Sequence, residues 1–405
     1  MNPRTLPGDG PVAVIPAMDC ITGLQTARIL AAKGVPVIGV VADRRHFCAR
    51  TRVTLGLVES PTAGEPLIER LERLATRLDG RPAVLLPCSD GAVLAISRWR
   101  DRLADAYRFV LPEHDVVEML MDKVRFAEYA TAAGLPIPAT RILRTAADAR
   151  AAAAELTFPA VLKPSVKSDR WFAATKAKAL RIADPDELLS AYDRWAPAAD
   201  VLIAQRWIDG GESSLVSVNL YLDRSCTARV VFVARKLRQW PPDTGTSSLG
   251  EEIRDDAVRE TAIRMFEDVG FKGLAYLEMK IDSRTGERLI VEPNVGRPTG
   301  RSAIAEQGGV ELVYSAFLDA LGEPLPADIE QRYGAARWIY WRHDLQAAAV
   351  QMARGRLTPA AWWRSVRGPK WEAVYDPADP RPFVADVLDT AGKTARAVRG
   401  WVTDG

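Results

Sequence analysis

Residues 273–294 read GLAYLEMKIDSRTGERLIVEPN. In the first half Ala275, Leu277, Met279 and Ile281 alternate with Tyr276, Glu278, Lys280 and Asp282, the period of a strand with one apolar and one polar face. LIVEPN then sets Glu292 and Asn294 on one face of a second strand, and DSRTGE between the two has the composition of a hairpin turn. Pairing the strands brings Glu278 beside Glu292 and Asn294, so three oxygen donors converge. Two carboxylates and an amide suit magnesium, a hard cation that keeps some waters and is usually completed by phosphate oxygens. Taken alone, the three residues are more simply a solvated face of an antiparallel sheet, and the rest of the chain decides between the two readings.

PAVLKP at 159–164 ends an apolar strand on Lys163, where a lone ammonium is costly to desolvate and a phosphate removes that cost. Lys123, in MDKVRFAEYA, reads by itself as a surface lysine and gains weight from its place ahead of PAVLKP. In VLIAQRWIDGGESS at 201–214 an apolar strand runs through Gln205, Arg206, Trp207 and Ile208. The exposed backbone edge of such a strand can hydrogen-bond an adenine. Beyond it Glu212 is either an acceptor for ribose hydroxyls or an ordinary loop glutamate.

At 405 residues the chain suggests two to four packed units. Hydrophobic residues at 48% and charged residues at 26% are those of an ordinary globular protein. The 54 basic and 52 acidic residues are spread along the chain, with no basic stripe for nucleic acid. No apolar run approaches the ~20 residues that span a bilayer, and MNPRTLPGDG lacks the apolar core of a signal peptide. No membrane association and a cytoplasmic location are therefore expected. Cys20, Cys48, Cys88 and Cys226 show no CxxC spacing, and His46, His114 and His343 are equally scattered. Buried free thiols are expected, not zinc or disulfides.

PVAVIPA at 11–17, a helix from about 22 to 33 and VPVIGVV at 35–41 read as strand, helix, strand, which implies a parallel sheet. AVLLP at 83–87 leads through CSDG into another helix, and FVLP at 109–112 reads as a short strand. The first turn, AMDCITG, lacks the GxGxxG of a dinucleotide site. A long helix from about 114 to 133 ends at Gly134, and LPIPAT marks a boundary. Residues 140–325 then read as α+β, with strands near 158–163, 176–182, 200–206, 214–223, 227–236, 273–282 and 287–292. Over 251–269 a helix shares Val258, Ala262, Met265, Phe266 and Val269 on one face. The last eighty residues hold Trp338, Trp341, Trp362, Trp363, Trp371 and Trp401, six of the eleven tryptophans. They read as an appendage packed on the body or as a wall of a substrate pocket.

Taken in order, VLLPCSD, DKVRFAEYATAAGLPIPAT, PAVLKP, LIAQRWIDGGE, RKLRQWPPDTG, GLAYLEMKID and VEPNVGRP resemble the ATP-grasp superfamily, in particular its carboxylate–amine ligases of the D-aspartate ligase kind. The resemblance covers about residues 12–325. The fold class is thus α/β plus α+β, an ATP-grasp fold. It implies a parallel-sheet pre-ATP-grasp domain at 1–115, an ATP-grasp N-terminal subdomain at 116–195, a C-terminal subdomain with the metal site at 196–325, and a Trp-rich extension at 326–405. It further implies that ATP and magnesium are cofactors, with one or two ions and manganese as an alternative. Lys123 and Lys163 would contact phosphates, Gln205 and Arg206 to Ile208 would hold the adenine, Glu212 would bind ribose, and Glu278, Glu292 and Asn294 would bind the metal.

In RKLRQWPP the resemblance suggests Arg235 and Lys236 at the transferred phosphoryl group. Two departures from the family pattern stand out. The loop SVKSDRWFAAT at 165–175 has no glycine, so Ser165, Lys167 and Ser168 would have to cover phosphates with side chains. The usual Asn-x-Arg appears as Asn294-Val295-Gly296-Arg297, with Gly296 expected to absorb the extra residue as a bulge. Arg297 is the expected catalytic arginine, and Arg301, Ser89 and Asp90 are candidate substrate contacts, Ser89 and Asp90 reading equally as a helix N-cap. The implied reaction joins a small carboxylate, activated as an acyl phosphate, to an amine, with an amino acid as one substrate and a homodimer as the common state of relatives. An ATP-dependent carboxylase and a non-catalytic nucleotide-binding regulatory protein are the rival readings.

Overall fold

Every residue of VAVIP is buried, as in a strand covered on both faces. This strand, β1 (Val12–Pro16), is central in a parallel sheet of order β3-β2-β1-β4, with β2 (Val37–Val41), β3 (Thr54–Glu59) and β4 (Ala83–Leu85). The computed structural model describes residues 10–391 except 167, 176, 178, 244 and 328. Helix α1 (Ile21–Ala32) follows β1, and Cys20 caps it by accepting the Gly23 N–H at 3.3 Å on Sγ. Helix α2 (Gly64–Ala75) buries Leu67, Ile68, Leu71 and Leu74. After β4 come α3 (Asp90–Arg98) and the single turn α4 (Arg100–Leu103). The starts of α1 and α3 therefore lie at the carboxyl ends of strands, where open α/β sheets form crevices.

Two helices follow, α5 (His114–Met121) and α6 (Lys123–Ala132), and then a four-stranded antiparallel sheet of order β5-β8-β6-β7. Its elements in chain order are β5 (Thr140–Leu143), α7 (Ala146–Glu155), β6 (Ala160–Pro164), α8 (Asp169–Ala174), β7 (Leu180–Ile182), α9 (Pro185–Trp195) and β8 (Leu202–Arg206). Leu162, Ile182 and Ala204 pack with Ala149 and Ala152 of α7 and Leu188 of α9 in a separate small core. The glycine-free segment is held by Trp171, which is fully buried in this core, lies 5.9 Å from Trp195 and donates its indole N–H to the Ala177 carbonyl at 2.8 Å.

The largest sheet has the order β13-β12-β9-β10-β11-β14-β15. Its strands are β9 (Leu215–Leu222), β10 (Ala228–Trp240), β11 (Thr246–Glu252), β12 (Gly273–Ile281), β13 (Arg288–Val295), β14 (Arg337–Ile339) and β15 (Trp371–Glu372). All neighbours are antiparallel except β14 and β15. One face, with Val216, Val218, Val231, Val233 and Leu277, packs on α10 (Asp256–Asp268) through Val258, Ala262, Met265 and Phe266. The alternate residues Tyr221, Phe232, Ala234 and Leu274 pack towards α1, α11 (Ala303–Gln307) and α12 (Leu312–Leu321). That second face turns polar at one end, through Ser217, Asn219, Lys236, Tyr276 and Glu278.

The C-terminal segment is built into this sheet. Trp338 on β14 and Tyr340 join the core of the second face, and α13 (Trp341–Ala353) and α14 (Pro359–Ser365) pack beside it. Two buried ion pairs fix it: Arg28 with Asp379 at 3.0 Å, and Arg238 with Asp344 at 2.8 Å. Trp363 is exposed, and Trp401 lies outside the described residues.

Several expectations are corrected. The helix anticipated over 114–133 is broken at Asp122, whose extended backbone and carboxylate, accepting the Val124 and Arg125 N–H groups, start α6 afresh. FVLP forms no strand; only Arg108 bridges to Val84. The helix expected from 251 begins at Asp256, because Asp255 caps it through the Val258 N–H. Ahead of it TSSLGEE is strand β11, made by pairing with β10 in spite of its poor strand composition. Strands β3 and β5 and helix α2 were not anticipated. Among the described residues no helix is long and apolar enough to cross a membrane. All four cysteines are free, with Cys48 and Cys88 buried but Cys20 and Cys226 only half-buried.

Candidate functional site

The hairpin of β12 and β13 places Glu278 directly opposite Glu292, and Tyr276 opposite Asn294. Directly opposed residues share a face, so the two carboxylates and the amide converge. The ladder slips between Glu278 and Met279, leaving Val291 as the additional residue; it is here, not at Gly296, that the strand bulges. Val295 still pairs with Ala275, and Gly296 then turns with φ +74°, donating its N–H to the Leu274 carbonyl at 2.7 Å. A Cβ there would also meet Val93 Cγ1 at 2.5 Å, so the turn requires glycine. It sends Arg297 back over the hairpin: its Nη2 donates to Asn294 Oδ1 at 3.0 Å and its Nε to Asp90 Oδ1 at 2.5 Å.

Two clefts meet at Glu292 and Asn294, which line both. The first, about 340 Å³, runs between α6, the four-stranded sheet and β13. Lys123, Lys163, Gln205 and Asp90 line it, with an apolar wall that includes Phe126, Ile137, Ile203 and Ile290. Lys163 Nζ donates to Gln205 Oε1 at 3.2 Å, Gln205 donates in turn to Thr140 Oγ1 at 2.8 Å, and Lys123 Nζ donates to the Ser165 carbonyl at 3.0 Å. Two lysines on separate elements thus face one cleft next to the carboxylate pair.

The second cleft, about 410 Å³, lies over the polar end of the seven-stranded sheet. Lys236, Glu278, Arg297 and Arg301 line it, with Thr22 from α1 and Trp338, Tyr340 and His343 from the C-terminal segment. Lys236 is 5% exposed and lies 3.7 Å from Glu278 Oε1. Burial lowers its pKa, and Glu278 works in the opposite direction. Arg301 Nη2 reaches the Tyr276 hydroxyl, Ser217 Oγ at 3.2 Å and Glu278 Oε2 at 3.9 Å. Burial pushes the Tyr276 phenol well above its usual range, so it stays protonated and donates to Glu278 Oε2 at 3.1 Å.

Other expected site residues are placed elsewhere. Arg235 and Lys236 are consecutive on β10 and so point to opposite faces; Arg235 pairs with Glu251 and lines neither cleft. Strand β8 lies between β5 and β6, so it offers no exposed backbone edge through Arg206. Beyond it the Trp207 N–H donates to the Pro159 carbonyl at 2.9 Å, and the Ile208 carbonyl accepts from Lys280 Nζ at 2.7 Å. The Arg206 side chain pairs with Asp282 and Glu287, and Trp207 lies under Arg181 and Lys280. Glu212 accepts from the Gln239 N–H, the Asp243 N–H and Gln351 Nε2, and lines neither cleft. Ser89 is an N-cap, accepting the Ala92 N–H at 3.2 Å. Of the flap candidates, Ser168 caps α8 and Lys167 lies outside the described residues. Trp338, Tyr340 and His343 were not picked out as site residues; the tryptophan count was the only signal of a C-terminal wall.

Among the described residues no three or more His, Cys, Asp or Glu side chains form a cage for a metal ion. The donor set of Glu278, Glu292 and the Asn294 amide still fits magnesium. Glu278 and Glu292 face each other across the ladder, where a divalent cation would relieve their repulsion beyond what Lys236 and Arg301 supply, the Asn294 oxygen keeps a second lone pair beside its bond from Arg297, and an incomplete set leaves room for water and phosphate oxygens.

No family model matches the chain. D-aspartate ligase of Enterococcus faecium is 26% identical over 251 residues, 58% of this chain and 58% of its own length. D-alanine–D-alanine ligase B of Chromobacterium violaceum is 28% identical over 179 residues, 43% of this chain and 56% of its own. The chain therefore spans less than two thirds of either relative. N5-carboxyaminoimidazole synthetase of Staphylococcus aureus shares the fold with a TM-score of 0.61 at 14% identity, covering 82% of each chain. The biotin carboxylase domain of the Hydrogenobacter thermophilus 2-oxoglutarate carboxylase, solved with MgADP and bicarbonate, gives 0.60 at 16% identity, covering 79% of this chain and 72% of its own. The fold is the ATP-grasp fold that the ordered motifs resemble.

Proposed function

We propose that this ATP-grasp chain is an ATP-dependent carboxylate–amine ligase that forms an amide through an acyl phosphate. The observation that carries the reading is the meeting of two clefts at Glu292 and Asn294, one bearing paired lysines and the other buried cations. The first cleft is read as the nucleotide site, with its apolar wall against the base and Lys123 and Lys163 at the phosphates. The second is read as the acid site. A carboxylate at the junction attacks the terminal phosphorus, its oxygen bonding to phosphorus as the bridging bond to ADP breaks. Glu278, Glu292 and Asn294 would hold magnesium, which would supply charge neutralisation for that transfer.

Lys236, fixed between Gln239 and Glu278, adds a buried positive charge where the phosphoryl group arrives. The amine then bonds to the acyl carbon and loses a proton, and the carbon–oxygen bond to phosphate breaks. Arg297 is read as the donor to the oxyanion of the tetrahedral intermediate, with Asp90 and Asn294 holding its guanidinium in position. An amino acid as one substrate and a cytoplasmic location complete the reading. The test is release of ADP and phosphate with panels of carboxylic acids and amines, followed by the mass of the product. Amide formation that needs both partners supports the ligase; turnover stimulated by bicarbonate without any amine overturns it in favour of a carboxylase.

A further inference from the structure

The two oxygens of the Glu278 carboxylate are not equivalent. Oε2 accepts from the Tyr276 hydroxyl at 3.1 Å and lies 3.9 Å from Arg301 Nη2. Oε1 has Lys236 Nζ at 3.7 Å, outside hydrogen-bond range. Glu292, directly opposite on β13, makes no hydrogen bond or ion pair among the described residues. One oxygen of Glu278 is therefore committed to the protein, while the other and both oxygens of Glu292 are not.

Sheet register fixes this division. Tyr276 and Glu278 stand two apart on β12 and so share a face. Ser217 of β9 and Glu292 of β13 flank Glu278, and Asn219 and Asn294 flank Tyr276 in the same way. Arg301, 5% exposed, lies over the bare Gly250, where a methyl would meet its Cδ at 3.2 Å. From there its Nη2 donates to the Tyr276 hydroxyl and to Ser217 Oγ at 3.2 Å. A guanidinium only donates, so the hydroxyl accepts from it and has one proton left, which goes to Glu278. Arg301 itself is too far from Oε2 for a hydrogen bond, so the hydroxyl is the group that holds this oxygen.

We infer that Tyr276 is a positioning residue that limits Glu278 to one oxygen in metal binding, and so makes the site select a six-coordinate cation such as magnesium over calcium. The inference rests on reading Glu278, Glu292 and Asn294 as the metal set. With Oε2 committed, that set supplies at most two oxygens from Glu292, one from Glu278 and one from Asn294, which leaves room in an octahedron for phosphate oxygens or water. Magnesium demands that geometry, whereas calcium takes roughly six to eight oxygens and accepts both oxygens of a carboxylate. Removing the hydroxyl would release Oε2 and add a donor that calcium can use and magnesium cannot.

The test is displacement of Mn2+ from the full chain in the presence of ADP, with Mg2+ and Ca2+ as competitors and the released ion read by electron paramagnetic resonance. In the unmodified chain Ca2+ is expected to be about tenfold less effective than Mg2+ once the ratio for ADP alone is divided out. Tyr276→Phe is expected to narrow that ratio to about threefold or less while Mn2+ binding is kept. Loss of affinity for all three ions in proportion would show a packing role and overturn the inference. In a Glu278→Gln background the phenylalanine should leave the ratio unchanged, since the hydroxyl acts through that carboxylate; a further shift overturns it. Equal displacement by Mg2+ and Ca2+ in the unmodified chain also overturns it, and needs no folded variant. A chain that binds no Mn2+ with ADP refutes the metal set and the ligase reading with it, whereas Mn2+ binding with an unchanged ratio in Tyr276→Phe refutes only the role of Tyr276.

Discussion

Replacing Asp344 by alanine should loosen the wall of the second cleft from behind. Asp344 is fully buried, and its carboxylate accepts from Arg238 Nε at 2.8 Å, Arg238 Nη2 at 2.9 Å, Trp362 Nε1 at 3.0 Å and Ser248 Oγ at 3.4 Å. Arg238 is itself only 3% exposed. Removing the carboxylate leaves a guanidinium buried without its counter-charge, which costs about 3–5 kcal/mol, while the stranded indole N–H overlaps with that loss and does not simply add to it. About 4 kcal/mol corresponds to a fall on the order of 10³-fold in hydrogen-exchange protection of the α13 amides. Because His343 precedes Asp344 on α13, KM for the acid should rise more than KM for ATP. The double variant Arg238→Met with Asp344→Leu should recover most of the protection, since an apolar pair of similar volume fills the same space without a charge. Protection of α13 within threefold of the unmodified chain after Asp344→Ala would refute the argument, because it would mean that water already reaches Arg238.

Glu292→Gln should abolish ADP formation while circular dichroism and melting temperature stay near those of the unmodified chain; retained turnover removes Glu292 from the metal set. Glu306→Gln probes pH-dependent stability: burial raises the Glu306 pKa from 4.5 to about 7, so the folded chain holds that proton more tightly than the unfolded one. Stability from this group is full below about pH 4.5 and lost as pH rises through 7, so the glutamine variant should gain about 1–2 kcal/mol relative to the unmodified chain at pH 8 and nothing at pH 4, read as melting temperature against pH. Trp171→Ala should cost about 3–5 kcal/mol in the small core around the four-stranded sheet and raise KM for ATP, because it frees the segment after Lys163; an unchanged KM separates that segment from nucleotide binding.

The hairpin of β12 and β13 was legible because its two signals agree: strict alternation from Ala275 to Asp282, and a turn-forming DSRTGE before LIVEPN. β1, α1 and β2 were legible for the same reason. Strand β11 was not, since Ser247, Ser248 and Gly250 disfavour strands and form one only because β10 and β14 supply both edges. Asp122 carried a readable N-cap signal, obscured by apolar spacing that continues across the break. The opposite orientations of Arg235 and Lys236 follow from strand period alone, and the family resemblance masked them. Nothing local distinguishes Trp338 from the other C-terminal tryptophans; its position depends on pairing with Gly250, which lies 88 residues earlier in the chain.

The addition of β14 and β15 to the seven-stranded sheet bears on how this protein can be cut. A fragment ending near residue 325, ahead of the C-terminal segment, would strip β11 of its outer neighbour and leave the backbone of Leu249, Gly250 and Glu251 unpaired. Such a row of open N–H and C=O groups is a template for self-association. Such a fragment should come out of expression as aggregates, and shortening schemes should keep Trp371 and Glu372 so that the sheet retains its last two strands.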